Sequence, residues 1–382
     1  MDAVAQNRSL KPVTVRGLID KALFHSEEAK SAGLVDHLEY PDEFRARIQE
    51  HDGVQRTIVK AKVGKRFQLQ AGGFAGMMAL VNEIFGMPTN RLGSKKPKIA
   101  IVYGEDRGSL FGGDVITSDG LAKLFRKVRE DDSVETVVFR VNSPGGSALA
   151  SELSLREVQL TAAKKPVVVS MGDLAASGGY YVSCGATWIV AEQGTLTGSI
   201  GVIGAVPNTR NLHDMIGVRY ETFSRGKRKN MISAYGELSD DGREVLMRYI
   251  HQIYDEFLSR VAEGRKLPKE AAAAIAEGRV WTGGQALKHG LVDELSGLNE
   301  ALVRAREMGK VPDDAEIISL PRPKTFFEVL QDLEDGTALK ASVSLVPLLP
   351  DDVKSPLRHA EWIRAADKER VFTVMPEIVV LR

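Results

Sequence analysis

Cysteine is nearly absent from this sequence, and neither sign of charge is in excess. Cys184 is the one cysteine among 382 residues, which excludes an internal disulfide and a zinc cluster built on thiolates. Lysine plus arginine and aspartate plus glutamate number 51 each, so the chain has no general basic surface to hold a nucleic-acid backbone. We therefore expect no nucleic-acid partner and no metal centre.

A long hydrophobic run is also lacking. The N-terminal segment 1–17 has no apolar core of signal-peptide length, and the most apolar stretch, 71–87, is interrupted by Asn82 and Glu83. That stretch is typical of a packed or interfacial helix rather than of a membrane span. We expect no anchor and no signal peptide in this chain.

One segment of the sequence occurs twice. Residues 24–36 and 281–293 both begin with an aromatic residue and end in the tetrapeptide GLVD, in one register 257 positions apart. The matching flanks favour a duplicated unit over chance. Since almost nothing precedes the first copy, we predict that it belongs to the C-terminal remnant of an earlier domain.

Composition divides the rest of the chain. The run 86–97 is rich in Gly, Pro and Lys and is typical of a linker. The predicted organisation is a domain remnant over 1–50, a helix and linker over 51–97, one α/β domain over 98–310, and a C-terminal extension over 311–382.

Four short β-branched runs alternate with helical patterns in the α/β domain. They are KIAIVYG (98–104), ETVVFRV (135–141), PVVVSM (166–171) and TWIVA (187–191). Ser118 and Ser147 are placed to cap the intervening helices, and Ser239 opens a long amphipathic helix. This alternation predicts an α/β fold with a mostly parallel sheet covered by helices. The extension is predicted to hold a helix over 325–333 and a strand over 377–381.

Three glycine-rich loops follow strands, where open α/β sheets place their sites. They are NSPGG (142–146), GDLAASGG (172–179) and GTLTGSIGVIG (194–204), and none has the pattern of a phosphate-binding loop. In the second loop Ser177 begins a helical run, with the Gly178 amide directed toward any oxyanion formed there. The flanking glycines let a substrate backbone approach closely. The same local pattern also fits a plain helix N-cap serine.

These loops resemble the signature loops of a known family. VNSPGG (141–146), SMGDLAASGGYY (170–181) and LTGSIGV (196–202) are similar to those of the protease IV, or signal peptide peptidase SppA, family. The resemblance extends over 98–310 and includes the second GLVD. It implies a serine peptidase of the ClpP/crotonase-like fold, a repeated β-β-α superhelix. Longer members carry two tandem copies of the domain, and this chain resembles the second copy plus the stub of the first.

The resemblance implies a nucleophile and an oxyanion hole. Ser177 matches the family's nucleophile. The amide of Gly178, together with an amide from the Gly145–Gly146 turn, matches the oxyanion hole.

The resemblance also implies that a lysine is the general base. Its register indicates Lys229, with Lys227 as the second candidate, and Ser199 matches the serine that hydrogen-bonds the lysine. A lysine acts as a base only when burial or neighbouring charges lower its pKa toward neutrality. The run 227–229 also fits an ordinary solvated loop. In tandem members the lysine usually comes from the first copy, so a candidate in the second copy is closer to the short members.

Three alternatives stay open at this stage. His213, followed by Asp214, would be the base of a Ser-His-Asp triad. A non-catalytic scaffold of the same fold would bind peptides or assemble rings. A crotonase-type acyl-CoA enzyme is less favoured, because the loops supply no obvious pair of acids.

The resemblance finally sets expectations for partners and location. It implies an endopeptidase that cleaves apolar peptides such as signal-peptide remnants and needs no cofactor. We expect a homo-oligomer whose active site is shared between chains. The expected location is the cell envelope, with membrane association through a part that this chain does not contain.

Overall fold

The computed structural model describes residues 1–50, 96–104, 118–321 and 371–374, without positions 207, 222, 224, 225, 229, 230, 232 and 234. The chain forms two compact units, one of Met1–His25 with Lys95–Arg382 and one of Ser26–Ser94. The predicted boundaries at 50, 97 and 310 stay predictions.

Helices and strands alternate along the larger unit. Its described helices are α1 (Asp2–Asn7), α2 (Pro12–Lys21), α5 (Ser118–Glu130), α6 (Ala148–Ala162), α7 (Gly178–Ser183), α8 (Arg210–Met215), α9 (Asp240–Arg265), α10 (Lys269–Ala274), α11 (Gly283–Lys288) and α12 (Leu298–Gly309); the smaller unit contains α3 (Ser26–Ser31) and α4 (Pro41–Gln49). The described strands are β1 (Lys98–Gly104), β2 (Val134–Ser143), β3 (Gly145–Ser147), β4 (Val167–Ala176), β5 (Trp188–Ala191), β6 (Leu196–Gly198), β7 (Ile203–Gly204), β8 (Val280–Thr282), β9 (Glu294–Leu295), β10 (Glu316–Leu320) and β11 (Val371–Val374).

The main sheet is parallel along its whole central path. Its strand order is β10-β1-β2-β4-β5-β9, and each neighbouring pair on this path is parallel. β6 pairs in parallel with the end of β4, and β8 runs antiparallel to β6. A separate small antiparallel sheet has the order β3-β11-β7. The predicted mostly parallel α/β architecture is therefore confirmed.

Both faces of the sheet are covered by helices. On one face Val138, Val168 and Val190 pack with Ala301 and Ala305 of α12. On the other face Phe139, which points opposite to Val138, meets Phe125 of α5 edge to face with ring centroids 5.0 Å apart. Strands buried on both faces must be apolar throughout, which is why they appear in the sequence as continuous β-branched runs.

Two of the predicted helix starts are confirmed by their caps. The Ser147 side chain accepts a hydrogen bond from the Ala150 amide at the start of α6, and Ser239 accepts one from the Gly242 amide at the start of α9. Ser118 is the first residue of α5. The predicted segments 71–87, 325–333 and 377–381 lie outside the described residues. No helix in the described part of the chain has the length and apolar character needed to cross a membrane.

The two GLVD segments have the same local conformation. Gly33 follows α3 with φ +70° and Gly290 follows α11 with φ +72°. The amides of Gly33 and Leu34 donate to the carbonyls of Lys30 and Ala29. The second copy repeats this pattern 257 positions later, with donors Gly290 and Leu291 and acceptors Leu287 and Ala286. This is a glycine-terminated helix end in both places.

Candidate active site

The ends of three strands bring the glycine-rich loops together. Ser143 at the end of β2 pairs with Ala175 of β4, and Ala176 pairs with Gly198 at the end of β6. Because these strands are parallel, the loops that follow them leave the sheet at the same edge.

Ser177 holds an unusual backbone conformation directly after β4. Its φ is +49° and its ψ is −114°, which a non-glycine residue adopts at a cost of about 1–3 kcal/mol. Its amide donates to the Gly198 carbonyl at 2.8 Å, which fixes the residue against β6. The side chain is fully buried, and Oγ has no hydrogen-bond partner among the described residues. Ser177 stands at the N-cap position of α7 but makes no capping bond, so the plain N-cap interpretation fails.

The start of α7 packs backbone to backbone against the NSPGG turn. A Cβ placed on Gly178 would lie 3.0 Å from Gly145 Cα, 3.0 Å from the Gly146 nitrogen and 2.7 Å from Ser151 Oγ. The structure therefore brings Ser177 and Gly178 beside the Gly145–Gly146 turn. At this approach only glycine fits at position 178.

One amide of that turn is already engaged. The Gly145 amide donates to Ser143 Oγ at 3.2 Å, with Gly145 at φ +106°. Gly145 thereby turns the chain, and the following amide, of Gly146, comes to lie next to Gly178.

Ser199 shares the main properties of Ser177. Its φ is +47°, its side chain is 1% exposed, and its Oγ has no partner in the described part of the chain. Its amide donates to the Arg279 carbonyl at 2.8 Å. Since Ser177 is bonded to Gly198, the residue before Ser199, two buried and unpaired hydroxyl groups belong to adjoining backbone segments.

Threonine hydroxyls hold the TGSIGV loop on β4. Thr197 Oγ1 donates to the Ala175 carbonyl at 2.7 Å, and Thr195 Oγ1 donates to the Gly172 carbonyl at 2.8 Å. These bonds fix the loop that carries Ser199 relative to the strand that carries Ser177.

The second GLVD segment supports the helix that follows Ser177. The Tyr180 hydroxyl donates to the Leu291 carbonyl at 2.9 Å, and burial raises the pKa of Tyr180 well above its usual value. Asp293 accepts two hydrogen bonds from the Arg265 guanidinium, at 2.6 and 3.1 Å, and one from the Ile189 amide at 2.8 Å. The repeat is visible in the sequence but its partners are not, because Tyr180 and Arg265 are far from Leu291 and Asp293 in sequence and no local pattern links them.

Of the two candidate lysines, the structure describes only Lys227. Lys229 lies outside the described residues. Lys227 is exposed, and its backbone amide donates to Asp20 Oδ1 at 2.8 Å. The structure does not bring Lys227 to Ser177 Oγ.

His213 packs in a group of aromatic rings with Tyr220 and Tyr235. Its ring centroid is 4.7 Å from that of Tyr220 and 5.1 Å from that of Tyr235, and its Nδ1 lies 3.3 Å from Thr209 Oγ1. Within the described ranges no hydrogen bond joins it to Ser177.

Cys184 is a core residue, as its place in the sequence suggests. It is fully buried at the end of α7, its Sγ lies 3.1 Å from the Tyr181 carbonyl oxygen, and burial raises the pKa of its thiol to about 12. No cluster of metal-ligating side chains is found among the residues that the structure describes.

Known proteins match this chain over most of its length. Residues 159–312 match the sequence profile of peptidase family S49. A chloroplastic serine protease SPPA of Arabidopsis thaliana is 33% identical over 85% of this chain and 47% of its own length. Protease 4 of Haemophilus influenzae is 38% identical over 82% of this chain and 49% of its own length.

A shorter relative is covered more completely. A putative protease of Synechocystis sp. is 34% identical over 60% of this chain and 82% of its own length. The chain thus spans about half the length of the two longer relatives and most of the shorter one. The predicted family is confirmed: the chain belongs to peptidase family S49, the protease IV and SppA family, with its ClpP/crotonase-like fold.

Proposed function

We propose that the chain is a serine endopeptidase in which Ser177 is the nucleophile. The observation that carries this proposal is the state of Ser177: buried, in a left-handed conformation, and with an Oγ that has no partner among the described residues. A strained backbone and an unsatisfied buried hydroxyl both cost stability, and such costs are concentrated at functional sites.

The backbone amides of Gly178 and Gly146 form the proposed oxyanion hole. A Cβ placed on Gly178 would lie 3.0 Å from the Gly146 nitrogen, so the two residues are in close backbone contact beside Ser177. This closeness supports a pair of amide donors that act on one oxyanion. Of the two amides in the Gly145–Gly146 turn, Gly146 is preferred because the Gly145 amide already donates to Ser143 Oγ.

Lys229 is the proposed base, positioned by Ser199. In the mechanism its neutral amine takes the proton of Ser177 Oγ as that oxygen attacks the substrate carbonyl carbon. The resulting oxyanion accepts hydrogen bonds from the two amides, and the ammonium returns the proton to the leaving amine. Water then hydrolyses the acyl-enzyme with the lysine again acting as base. The unpaired, buried Ser199 Oγ supports a polar ligand such as a lysine amine at that position.

The alternative triad receives less support. His213 packs on Tyr220 and Tyr235, and Ser177 Oγ has no bond to it. A non-catalytic scaffold would have no need for a strained serine, because relaxing Ser177 would stabilise it.

The expected homo-oligomer has a surface that supports it. Segment 203–223 exposes large apolar side chains, with Met215 77%, Ile216 59%, Leu212 51% and Phe223 90% exposed. An apolar patch of this kind marks an interaction site. It precedes Lys229 in sequence, so a neighbouring copy that covers the patch would also meet the segment carrying the base. A head-to-tail contact of this type either closes into a ring or continues as a filament, and the proposed assembly is the closed ring.

The substrates we propose are apolar peptides such as membrane-derived or signal-peptide remnants, cleaved without a cofactor. By family resemblance the location is the cell envelope.

Labelling of Ser177 tests the proposal. A fluorophosphonate should label the chain at Ser177, and Ser177→Ala should abolish both labelling and peptide cleavage. Ser183→Ala is the matched control, because Ser183 is buried in the same helix but donates to the Gly179 carbonyl at 2.7 Å. Undiminished labelling of Ser177→Ala would refute Ser177 as the nucleophile.

A second pair of variants tests the base. Lys229→Ala should be as inactive as Ser177→Ala. If Lys229→Ala is active while His213→Ala is inactive, the Ser-His-Asp triad is favoured instead.

A further inference from the structure

The carboxylate of Glu152 joins three helices close to the candidate site. Glu152 lies on α6, and its Oε2 accepts a hydrogen bond of 2.6 Å from the hydroxyl of Tyr181 on α7. Arg260 of α9 donates to both oxygens, from Nη2 to Oε1 at 2.7 Å and from Nε to Oε2 at 3.2 Å. The Glu152 side chain is only 16% exposed. A single, largely buried carboxylate therefore holds α6, α7 and α9 together.

Two of these helices lead away from the proposed oxyanion hole. Helix α6 begins directly after β3 (Gly145–Ser147), and α7 begins at Gly178. The starts of the two helices are in contact, because a Cβ on Gly178 would lie 2.7 Å from Ser151 Oγ. Glu152 follows Ser151 in the chain, and Tyr181 lies about one turn along α7 from Gly178. The bond between Glu152 and Tyr181 thus joins the same two helices one turn away from the amides.

Two neighbouring tyrosines hold α7 from different sides. Consecutive residues of a helix are about 100° apart around its axis, so Tyr180 and Tyr181 point in different directions. The hydroxyl of Tyr180 donates to the Leu291 carbonyl, whereas that of Tyr181 donates to Glu152. The Tyr181 ring is buried and packs on Phe257 of α9, with ring centroids 4.5 Å apart. Both the position and the rotation of this six-residue helix are therefore fixed.

The ion pair of Glu152 with Arg260 contributes geometry more than stability. Desolvation offsets much of the attraction between two largely buried charges. The planar guanidinium, in contrast, binds a carboxylate through two directed hydrogen bonds and so fixes its orientation. Arg260 also lies 3.3 Å from Glu256 and 3.5 Å from Glu263, both on α9. The guanidinium therefore keeps carboxylate partners when Glu152 is replaced.

We propose that Glu152 is a positioning residue for the oxyanion hole. It holds α7 against α6 so that the amides of Gly178 and Gly146 act on one oxyanion. The inference rests on the peptidase function and the oxyanion hole proposed above.

The proposed role has a defined kinetic consequence. The two amides bind the oxyanion in the transition state, so a displaced α7 lowers kcat while the KM for substrate stays near the wild-type value. Removing an oxyanion donor lowers kcat by about 100-fold or more. Displacing a donor that is still present costs less, and we expect a loss of about tenfold.

Substitutions at Glu152 in the full-length chain test this. Glu152→Ala should lower the kcat for an apolar peptide about tenfold and leave KM within about twofold. Glu152→Gln keeps an oxygen that can accept from Tyr181, so it should recover most of the loss. Glu263→Ala is the matched control and should have the kcat of wild type. Glu263 pairs with the same guanidinium but lies on α9 itself, so this pair ties no second helix to Arg260.

An apolar peptide aldehyde measures the oxyanion hole directly. Ser177 Oγ bonds to the aldehyde carbon, the base takes the serine proton, and the carbonyl oxygen becomes the oxyanion that the two amides bind. Glu152→Ala should weaken inhibition by the aldehyde by the same factor as it lowers kcat. Inhibition by the matching peptide alcohol, which has no carbonyl group to form an oxyanion, should not change. A role confined to stability would weaken the two inhibitors equally, through the fraction of folded molecules.

The outcomes separate this inference from the proposed function. If wild type is labelled at Ser177 by a fluorophosphonate but Glu152→Ala keeps the wild-type kcat and aldehyde affinity, the inference is overturned and the peptidase stands. Equal weakening of aldehyde and alcohol also overturns it. If wild type is not labelled, the proposed function fails and the inference fails with it. Should Glu152→Ala not fold, Tyr181→Phe decides, because it removes the same hydrogen bond from the side of α7 and leaves the ion pair in place.

Discussion

The hydroxyl of Tyr180 donates to the backbone carbonyl of Leu291, 2.9 Å away, across 111 positions of sequence. Both residues are fully buried. The bond ties the helix that begins next to Ser177 to the GLVD segment, which Arg265 fixes through Asp293. The repeated motif thus has a structural role: it supports the helix that begins directly after Ser177.

Tyr180→Phe should destabilise the fold. The change leaves the Leu291 carbonyl buried without this donor, which costs about 1–3 kcal/mol of unfolding free energy. Urea unfolding should show a lower midpoint with an unchanged slope. Tyr235→Phe, at a residue that is 42% exposed, is the control and should shift the midpoint little. An unchanged midpoint in Tyr180→Phe would contradict the supporting role.

Gly178→Ala should abolish activity. An added Cβ would lie 2.7 Å from Ser151 Oγ and 3.0 Å from the Gly145–Gly146 backbone, so the start of α7 must move away from the turn. Removing one oxyanion donor from its place lowers kcat by about 100-fold or more. Steady-state cleavage of an apolar peptide measures the loss.

Gly194→Ala is the matched control for that experiment. Gly194 opens the third glycine-rich loop, has no positive φ, and a Cβ there would meet nothing within 4 Å. Its kcat should stay at the wild-type value. Wild-type kcat in Gly178→Ala would remove the amide of residue 178 from the oxyanion hole.

Cys184 should be unreactive in the folded chain. Burial raises the pKa of its thiol from 9.0 to about 12, so the reactive thiolate is absent at pH 8, and the side chain is inaccessible. Iodoacetamide should label it only under denaturing conditions. Rapid labelling without denaturant would show that the end of α7 opens locally.

Because the pKa of the Cys184 thiol is raised, the free energy of unfolding should fall as the pH rises above 9. Between pH 9 and 12 the thiol ionises in the unfolded chain but stays protonated in the folded one, so rising pH favours unfolding. Cys184→Ala removes this contribution, and its free energy of unfolding should fall less steeply than that of wild type over that window. Parallel curves for the two proteins would contradict the raised pKa.

Sequence predicted those parts of the fold that local pattern determines. The β-branched runs predicted β1, β2, β4 and β5, because strands buried on both faces must be apolar throughout. Ser147 and Ser239 predicted helix starts, because a cap acts within one turn. The glycine-rich loops led to Ser177, because a close backbone approach requires residues without side chains.

The parts of the fold that the sequence does not predict depend on pairing between distant segments of the chain. β11 has only four residues, and its pairing partners, Gly145–Ser147 and Ile203–Gly204, lie far away in sequence. No local pattern distinguishes such a strand from an irregular segment. The predicted strand at 377–381 lies outside the described residues. The prediction of Lys229 as the base depends on the family resemblance, because the run 227–229 has the same local pattern as an ordinary solvated loop.

Mixing two inactive variants should restore activity if the site is shared between chains. Ser177 and Lys229 are 229 − 177 = 52 positions apart in the sequence, and the apolar patch before Lys229 supports a contact with a second copy. If each site takes its serine from one chain and its lysine from the next, refolding equal amounts of Ser177→Ala and Lys229→Ala leaves about a quarter of the sites with both residues intact. The mixture should then cleave peptide at about a quarter of the rate of wild type refolded alongside it. If one chain supplies both residues, every site lacks one of them and the mixture stays inactive. An inactive mixture next to fully active refolded wild type would therefore refute the shared site.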